Sequence, residues 1–151
     1  MKLSIIIPSY NEGKTLIEIL EKVQAVPINK EIIIVNDCSA DNTKNILHGY
    51  ESRCQIIHHE KNMGKGAALR SGFALATGDI IVVQDADLEY DPMDLIKLIQ
   101  PLLIGDAEVV YGSRFIDDNF SPHYRLAYFG NLFLSLMTSI LYRQKITDME
   151  T

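Results

Sequence analysis

The chain has 151 residues, 47% of them apolar, and its 14 basic against 20 acidic side chains leave a formal charge of −6. That length and composition predict one globular domain around a single core and exclude a disordered chain. The acid excess excludes a general nucleic-acid binder, which needs a basic face.

Cys38 and Cys54 are the only cysteines. They are too few for a disulfide framework and lack metal-ligand spacing, so reduced thiols in a cytosolic setting are expected. The opening, Met1 to Pro8, has a single Lys and a short apolar run, without the length or cleavage site of a signal peptide. No apolar stretch reaches the length of a membrane span.

Leu3 to Ile7 reads as a strand stopped by Pro8, with residues 9–13 as a loop. Leu16, Ile19, Leu20 and Val23 then recur at helical spacing, and Pro27 ends that helix. Ile32 to Val35 is a second buried strand whose mouth is Asn36-Asp37-Cys38-Ser39. Asp41 reads as the N-cap of a helix from Thr43 to about Tyr50. Gln55 to His58 is a third, shorter strand, and Asn62 to Gly66 a glycine-rich turn. The following helix is expected to bury Leu69, Gly72, Phe73 and Ala76, with Gly78 as its C-terminal cap.

Ile80 to Val83 is a run of β-branched residues, predicted as a strand buried on both faces. Asp91-Pro92 starts a helix that turns Leu95, Leu98, Ile99 and Leu102 to the core. Val109 to Tyr111 is expected as a fifth strand, ending in Gly112-Ser113-Arg114. A last helix, Arg125 to Tyr142, is apolar around much of its circumference yet too short to span a bilayer. It reads as a core or dimer helix, or as an interfacial one. Strand and helix alternate throughout, which predicts an α/β fold with a largely parallel, Rossmann-like sheet flanked by helices.

Such sheets bind ligands outside the carboxyl ends of their strands. The mouths here offer Tyr10 and Glu12, then Asp37, then Asp85 and Asp87, then Arg114. Asp85 and Asp87 share one side of an extended chain and repel, which a hard divalent cation relieves; two acids after a strand also cap turns. An aromatic ring stacks on a base, a carboxylate accepts from a base or ribose, and arginine suits phosphate. The converging mouths therefore suit a nucleotide-type ligand. Gly64-Lys65-Gly66 lacks the Walker spacing, so its glycines are read as a close approach to the ligand, with Lys65 either in the site or solvated. His58 and His59 are adjacent on a strand end and point to opposite faces, which argues against a joint metal site.

Pro8-Ser9-Tyr10-Asn11-Glu12, Val35 to Thr43, Asn62 to Gly72, Gly78-Asp79, Asp85-Ala86-Asp87-Leu88 and Gly112-Ser113-Arg114 stand in an order that resembles family-2 glycosyltransferases of the GT-A fold. The branch most similar transfers sugars to polyprenyl phosphates, dolichyl or undecaprenyl. The resemblance implies one glycosyltransferase domain over residues 1–151, with relatives continuing further. It implies a nucleoside-diphosphate sugar donor held by Pro8, Tyr10, Glu12, Asp37, Gly64, Lys65, Asp85 and Ala86, with Asp37 on the base. Mg2+ or Mn2+ would sit on Asp85 and Asp87, with Glu89 as a further ligand. Arg114 and Arg125 would take the acceptor phosphate and act in catalysis. The setting implied is cytoplasmic, peripheral at the membrane face, with a homodimer as a further expectation. Asn36 replaces one of the paired acids many relatives carry at the second mouth, and keeps the capacity to accept and donate there. Two other readings stay open: a phosphoryl-transfer enzyme of the haloacid dehalogenase type, against which stands the position of the pair after the fourth strand, and a non-catalytic nucleotide-sugar-binding module. Transfer to a saccharide hydroxyl is a further variant of the enzyme reading.

Overall fold

A computed structural model describes residues 1–113, 125–143, 147 and 148, the side chains of 125–129 excepted. Arg114 therefore lies outside the described residues, as does the side chain of Arg125. The chain divides into two compact units, Met1–Ile96 and Lys97–Thr151.

The first unit is built on strands β1 (Leu3–Ser9), β2 (Lys30–Asn36), β3 (Gln55–His58) and β4 (Ile80–Val83), linked by helices α1 (Leu16–Ala25), α2 (Thr43–His48) and α3 (Lys65–Leu75). All pairings are parallel, in the order β3-β2-β1-β4. The two central strands are apolar on both faces: Ile5, Ile6, Ile7, Ile33, Ile34 and Val35 are all fully buried, as helix-covered parallel strands require. The chain winds outward from β1 through β2 to β3, then crosses back to lay β4 on the other side of β1. The order reverses between β1 and β4, and the crevice at that switch point is where open α/β sheets take ligands. The α/β expectation is borne out.

Helix α1 buries Leu16, Ile19, Leu20 and Val23, as their spacing predicts. The N-cap of α2 is Asn42 rather than the expected Asp41, which precedes it and accepts from the Thr43 amide at 3.0 Å. Helix α3 departs from expectation. It buries Ala67, Ala68 and Gly72, while Phe73 is exposed. A Cβ on Gly72 would stand 2.5 Å from Ile6 Cγ2, so the small face lets the helix backbone settle close on β1, and the larger residues rotate outward. Nor is Gly78 an αL cap; the helix ends at Leu75 with Ala76 extended. A Cβ at Gly78 would meet the Lys2 carbonyl and Ser4 amide at 2.7 Å, so close approach to the start of β1 explains this glycine.

Two strand expectations are corrected. Among the described residues β4 is an edge strand with alternating burial, Ile81 and Val83 being 46% and 42% exposed, rather than buried on both faces. Val109 to Tyr111 belongs to no strand. Val109 and Tyr111 are exposed, and three residues without a buried face specify no register. Among the described residues the sheet has four strands.

After β4, Asp91 accepts from the Met93 amide at 3.0 Å and opens a 3-10 turn, Pro92–Asp94. The helix predicted beyond it is broken into α4 (Leu95–Leu98) and α5 (Gln100–Leu103). Pro101 has no N–H to continue the ladder, which accounts for the break. In the second unit α6 spans Arg125–Tyr142, as expected. Among its described side chains the buried ones are polar: Asn131 Nδ2 donates to Asp148 Oδ1 at 2.5 Å, and Ser135 Oγ donates to Asn131 Oδ1 at 3.2 Å. Leu132, Phe133, Leu136, Met137, Ile140 and Leu141 are all more than half exposed. Among the described residues no helix is long and apolar enough to cross a membrane.

Candidate donor site

The ladder runs level across the first two mouths. Ser9 pairs with Asn36 in register, the Asp37 amide donates to the Ser9 carbonyl at 2.9 Å, and the His59 amide donates to the Asn36 carbonyl at 2.9 Å. On the other side of β1, the Gln84 amide donates to the Ile6 carbonyl at 3.0 Å. The residues that follow each strand thus leave the sheet along one edge. Side chains stitch the first two loops together. The Asn11 amide donates to Ser39 Oγ at 2.9 Å, Asn11 Oδ1 accepts from the Ala40 amide at 2.8 Å, and Asp41 Oδ2 accepts from the Gly13 amide at 2.9 Å. Asn11, Cys38 and Leu88, one at each of three mouths, hold left-handed φ of 59°, 59° and 66°. Non-glycine residues adopt such angles only where the surroundings impose them, and they cluster at functional sites.

A cavity of about 330 Å³ opens along this edge, a size in the range of small-ligand sites. Pro8, Tyr10, Glu12, Asp37, Gly64, Lys65, Asp85, Ala86 and Asp87 all line it. Every residue assigned above to the donor is therefore brought to one place. Tyr10 is about half exposed, its ring available for stacking. Ser9, Asn62 and Ala68 line the cavity too and were missed in sequence. Ser9 is 2% exposed, and its hydroxyl has no hydrogen-bond partner among the described residues. A buried orphan hydroxyl at a cavity wall is a hydrogen-bonding position for a ligand or water.

Asp37 is nearly buried and already engaged. Its Oδ1 accepts from the Met63 amide at 2.9 Å and its Oδ2 from the Gly64 amide at 2.7 Å, with His59 Nδ1 2.6 Å from Oδ1. Burial pushes its carboxyl up, but the bonds from His59, Met63 and Gly64 outweigh that and hold it below the ordinary 3.8. Asn36 is turned inward: its Oδ1 accepts from the Ser39 amide and its Nδ2 meets His58 Nδ1. It is a scaffold for the second mouth rather than a wall of the cavity, because those bonds use both ends of its amide.

Gly64 takes φ +86°, which a side chain would resist, and delivers Lys65 as the first residue of α3. Lys65 Nζ lies 2.7 Å from Asp85 Oδ1 and 2.8 Å from Oδ2. An ammonium thus sits on one carboxylate of the pair. Asp87 Oδ1 accepts from the Glu89 amide at 3.0 Å. Among the described residues no three His, Cys, Asp or Glu side chains gather to hold a metal, and Glu89, the expected third ligand beside Asp85 and Asp87, does not line the cavity. The left-handed turn at Leu88 folds the Glu89 amide back onto Asp87, which takes residue 89 off the line of the pair. Asp85 and Asp87 fit a divalent cation whose remaining ligands come from elsewhere, such as phosphate oxygens.

A model of the family described as Glycosyl transferase family 2 matches residues 4–150. The dolichol-phosphate mannosyltransferase of Pyrococcus furiosus is 36% identical over 120 residues, 77% of this chain and 34% of that protein. The UDP-N-acetylglucosamine–dolichyl-phosphate N-acetylglucosaminyltransferase of Methanococcus voltae is 33% identical over 166 residues, 97% of this chain and 66% of that protein. The chain thus spans between about a third and two thirds of these relatives' lengths. Among solved structures, glucosyl-3-phosphoglycerate synthase of Mycobacterium tuberculosis, in complex with Mn2+, UDP and glucosyl-3-phosphoglycerate, superposes with a TM-score of 0.58 at 25% identity, covering 68% of this chain and 39% of that one. The chain belongs to glycosyl transferase family 2, with the GT-A fold.

Proposed function

We propose that this family-2 glycosyltransferase takes a nucleoside-diphosphate sugar at the mouths of β1, β2 and β4 and transfers the sugar, with inversion, to a polyprenyl phosphate. The observation that carries the donor reading is the single cavity gathering Pro8, Tyr10, Glu12, Asp37, Lys65, Asp85 and Asp87 at the switch point of the sheet. Tyr10 stacks on the base, and Asp37, with the loop it holds, closes the base end. Lys65 leaves Asp85 for the diphosphate as the donor enters, since a doubly charged phosphate competes well for an exposed ammonium. Mg2+ or Mn2+ on Asp85 and Asp87 would neutralise charge developing on the leaving diphosphate.

The names of the two relatives support a polyprenyl-phosphate acceptor. Such a phosphate is ionised at neutral pH, so one of its oxygens attacks the anomeric carbon without a strong general base. The bond from that carbon to the donor's phosphate oxygen breaks, the electron pair leaves with the nucleoside diphosphate, and opposite-face attack inverts the centre. We assign the acceptor phosphate to Arg114 and Arg125. The exposed apolar side chains of α6 support attachment to the cytoplasmic face of a membrane, where a lipid phosphate is met.

The test is calorimetric titration of UDP, GDP and CDP with and without Mn2+, followed by transfer of radiolabelled sugar to a polyprenyl phosphate. Metal-dependent binding of a nucleoside diphosphate is expected; absence of binding for all three overturns the donor reading. Vesicle flotation decides the membrane attachment, and a dimer that ignores vesicles would give α6 to self-association instead.

A further inference from the structure

His59 is 8% exposed, sits one residue beyond β3, and does not line the cavity. Its two ring nitrogens are nonetheless both engaged, Nδ1 with Asp37 Oδ1 at 2.6 Å and Nε2 with Ser71 Oγ at 2.9 Å. An ionised carboxylate only accepts, so Nδ1 carries a proton in either charge state of the ring. In the neutral ring Nε2 then accepts from the Ser71 hydroxyl. The imidazole is thereby fixed at both ends, between the mouth of β2 and the middle of α3. Asp, His and Ser stand in the order of a hydrolase triad, but Ser71 is absent from the cavity wall and the Asp37 oxygens are also bonded to the Met63 and Gly64 amides. The chain of contacts leads the other way. Asp37, held by His59, holds the 62–64 loop; that loop ends in the left-handed Gly64, which sets the first residue of α3, Lys65, against Asp85.

We infer that His59 is a positioning residue of the donor site: braced by Ser71, it orients the Asp37 carboxylate that fixes the 62–64 loop and, through it, Lys65. This rests on the donor reading above for its consequence, though not for its geometry. A flexible carboxylate at this position would still bind the loop amides part of the time, but would no longer present loop and lysine in one arrangement. A lost bond to a charged group in a buried position converts to about a tenfold change in affinity.

The test combines amide hydrogen exchange at Met63 and Gly64, which needs no donor, with titration of UDP or GDP in Mn2+. His59→Ala is expected to speed exchange at both amides about tenfold and raise the nucleotide Kd about tenfold. His59→Asn, which keeps an N–H near the place of Nδ1, restores both. Ser71→Ala, which only releases the far nitrogen, speeds the same two amides by a smaller factor. Unchanged exchange at Met63 and Gly64 in His59→Ala overturns the inference, as does a His59→Asn chain as loose as His59→Ala, because ring bulk would then be the cause. Should His59→Ala fail to fold, unchanged exchange in Ser71→Ala overturns it alone. A wild-type chain that binds no nucleotide sinks the donor reading, while the exchange data still decide the role of His59.

Discussion

At the opposite end of the sheet from the cavity, one carboxylate ties three segments together, and it sets how stability falls in acid. Glu31, near the start of β2, accepts from Lys2 Nζ at 2.6 Å, from Ser4 Oγ at 2.5 Å, and from the Thr77 amide at 2.7 Å. Burial raises its carboxyl, but the bonds from Lys2, Ser4 and Thr77 bring it from the ordinary 4.5 down to about 2. A drop of that size corresponds to at most about 3 kcal/mol of native-state stability at 1.36 kcal/mol per pH unit. Lys2 is 36% exposed, so solvent screening brings the expected figure to about 2 kcal/mol. The sign follows from the direction. The contribution is complete above 4.5, where the unfolded carboxyl is also ionised, and disappears as the pH falls toward 2. The perturbation is Glu31→Gln. The chain has no Trp, so urea unfolding is followed by circular dichroism. At pH 7 the variant should be about 2 kcal/mol less stable with an unchanged m-value, and the gap should shrink steadily below about pH 4.5. Asp37 and Asp41, whose carboxyls are also held low, titrate in both proteins and cancel in the difference. A gap equally wide at pH 7 and near pH 2.5 would refute the reasoning.

Four further outcomes follow from the site and its supports. Asp87→Asn should abolish the metal dependence of nucleotide binding while leaving the melting temperature nearly unchanged, since the group stands at an exposed mouth; metal-dependent calorimetry on the variant checks it. Lys65→Met should move two affinities in opposite directions, tightening Mn2+ binding without nucleotide and weakening nucleoside-diphosphate binding by about tenfold, because the ammonium occupies Asp85 in one state and serves the diphosphate in the other. Ser9→Ala should raise the nucleotide Kd by about fivefold at little cost in stability, because the hydroxyl has no protein partner to lose among the described residues. Gly72→Ala should destabilise the fold by about 1–3 kcal/mol in urea, since its methyl would enter the space of Ile6.

Much of the fold was legible because two physical patterns repeat without interference. Runs such as Ile5-Ile6-Ile7 and Ile32 to Val35 have few ways to be buried other than as central parallel strands, and they are so buried. The misreadings have physical causes that local pattern does not carry. Ile80 to Val83 has the composition of a central strand, but the order of the strands among the described residues makes it an edge. Phe73 is a large apolar residue, yet Gly72 and two alanines take the inward face because backbone proximity is worth more there than side-chain volume. Among the described side chains of α6 the burial is inverted, with Asn131 and Ser135 inside, and no periodicity of apolar residues announces that.

At the site, the walls were easier to read than their supports, for a chemical reason. Tyr10, Asp37, Asp85 and Asp87 follow strands directly, so alternation and topology place them at one edge without knowledge of any side-chain contact. Ser9, His59 and Ser71 depend on which atoms meet in three dimensions, and their spacing in sequence carries no such signal. Ser9 had one available clue, a hydroxyl at the last position of β1, directly after the apolar run from Ile5 to Pro8. In sequence His59 reads only as a candidate metal ligand, and its neighbour's opposite orientation argues against that. That same alternation is what directs it inward to Asp37 while His58 turns to Asn36. The adjacent pair thus serves two strand mouths at once, His58 bracing the loop that carries Ser39 and His59 bracing the loop that carries Lys65. A site built this way keeps its ligand-facing groups on short loops and draws their rigidity from polar side chains one layer behind.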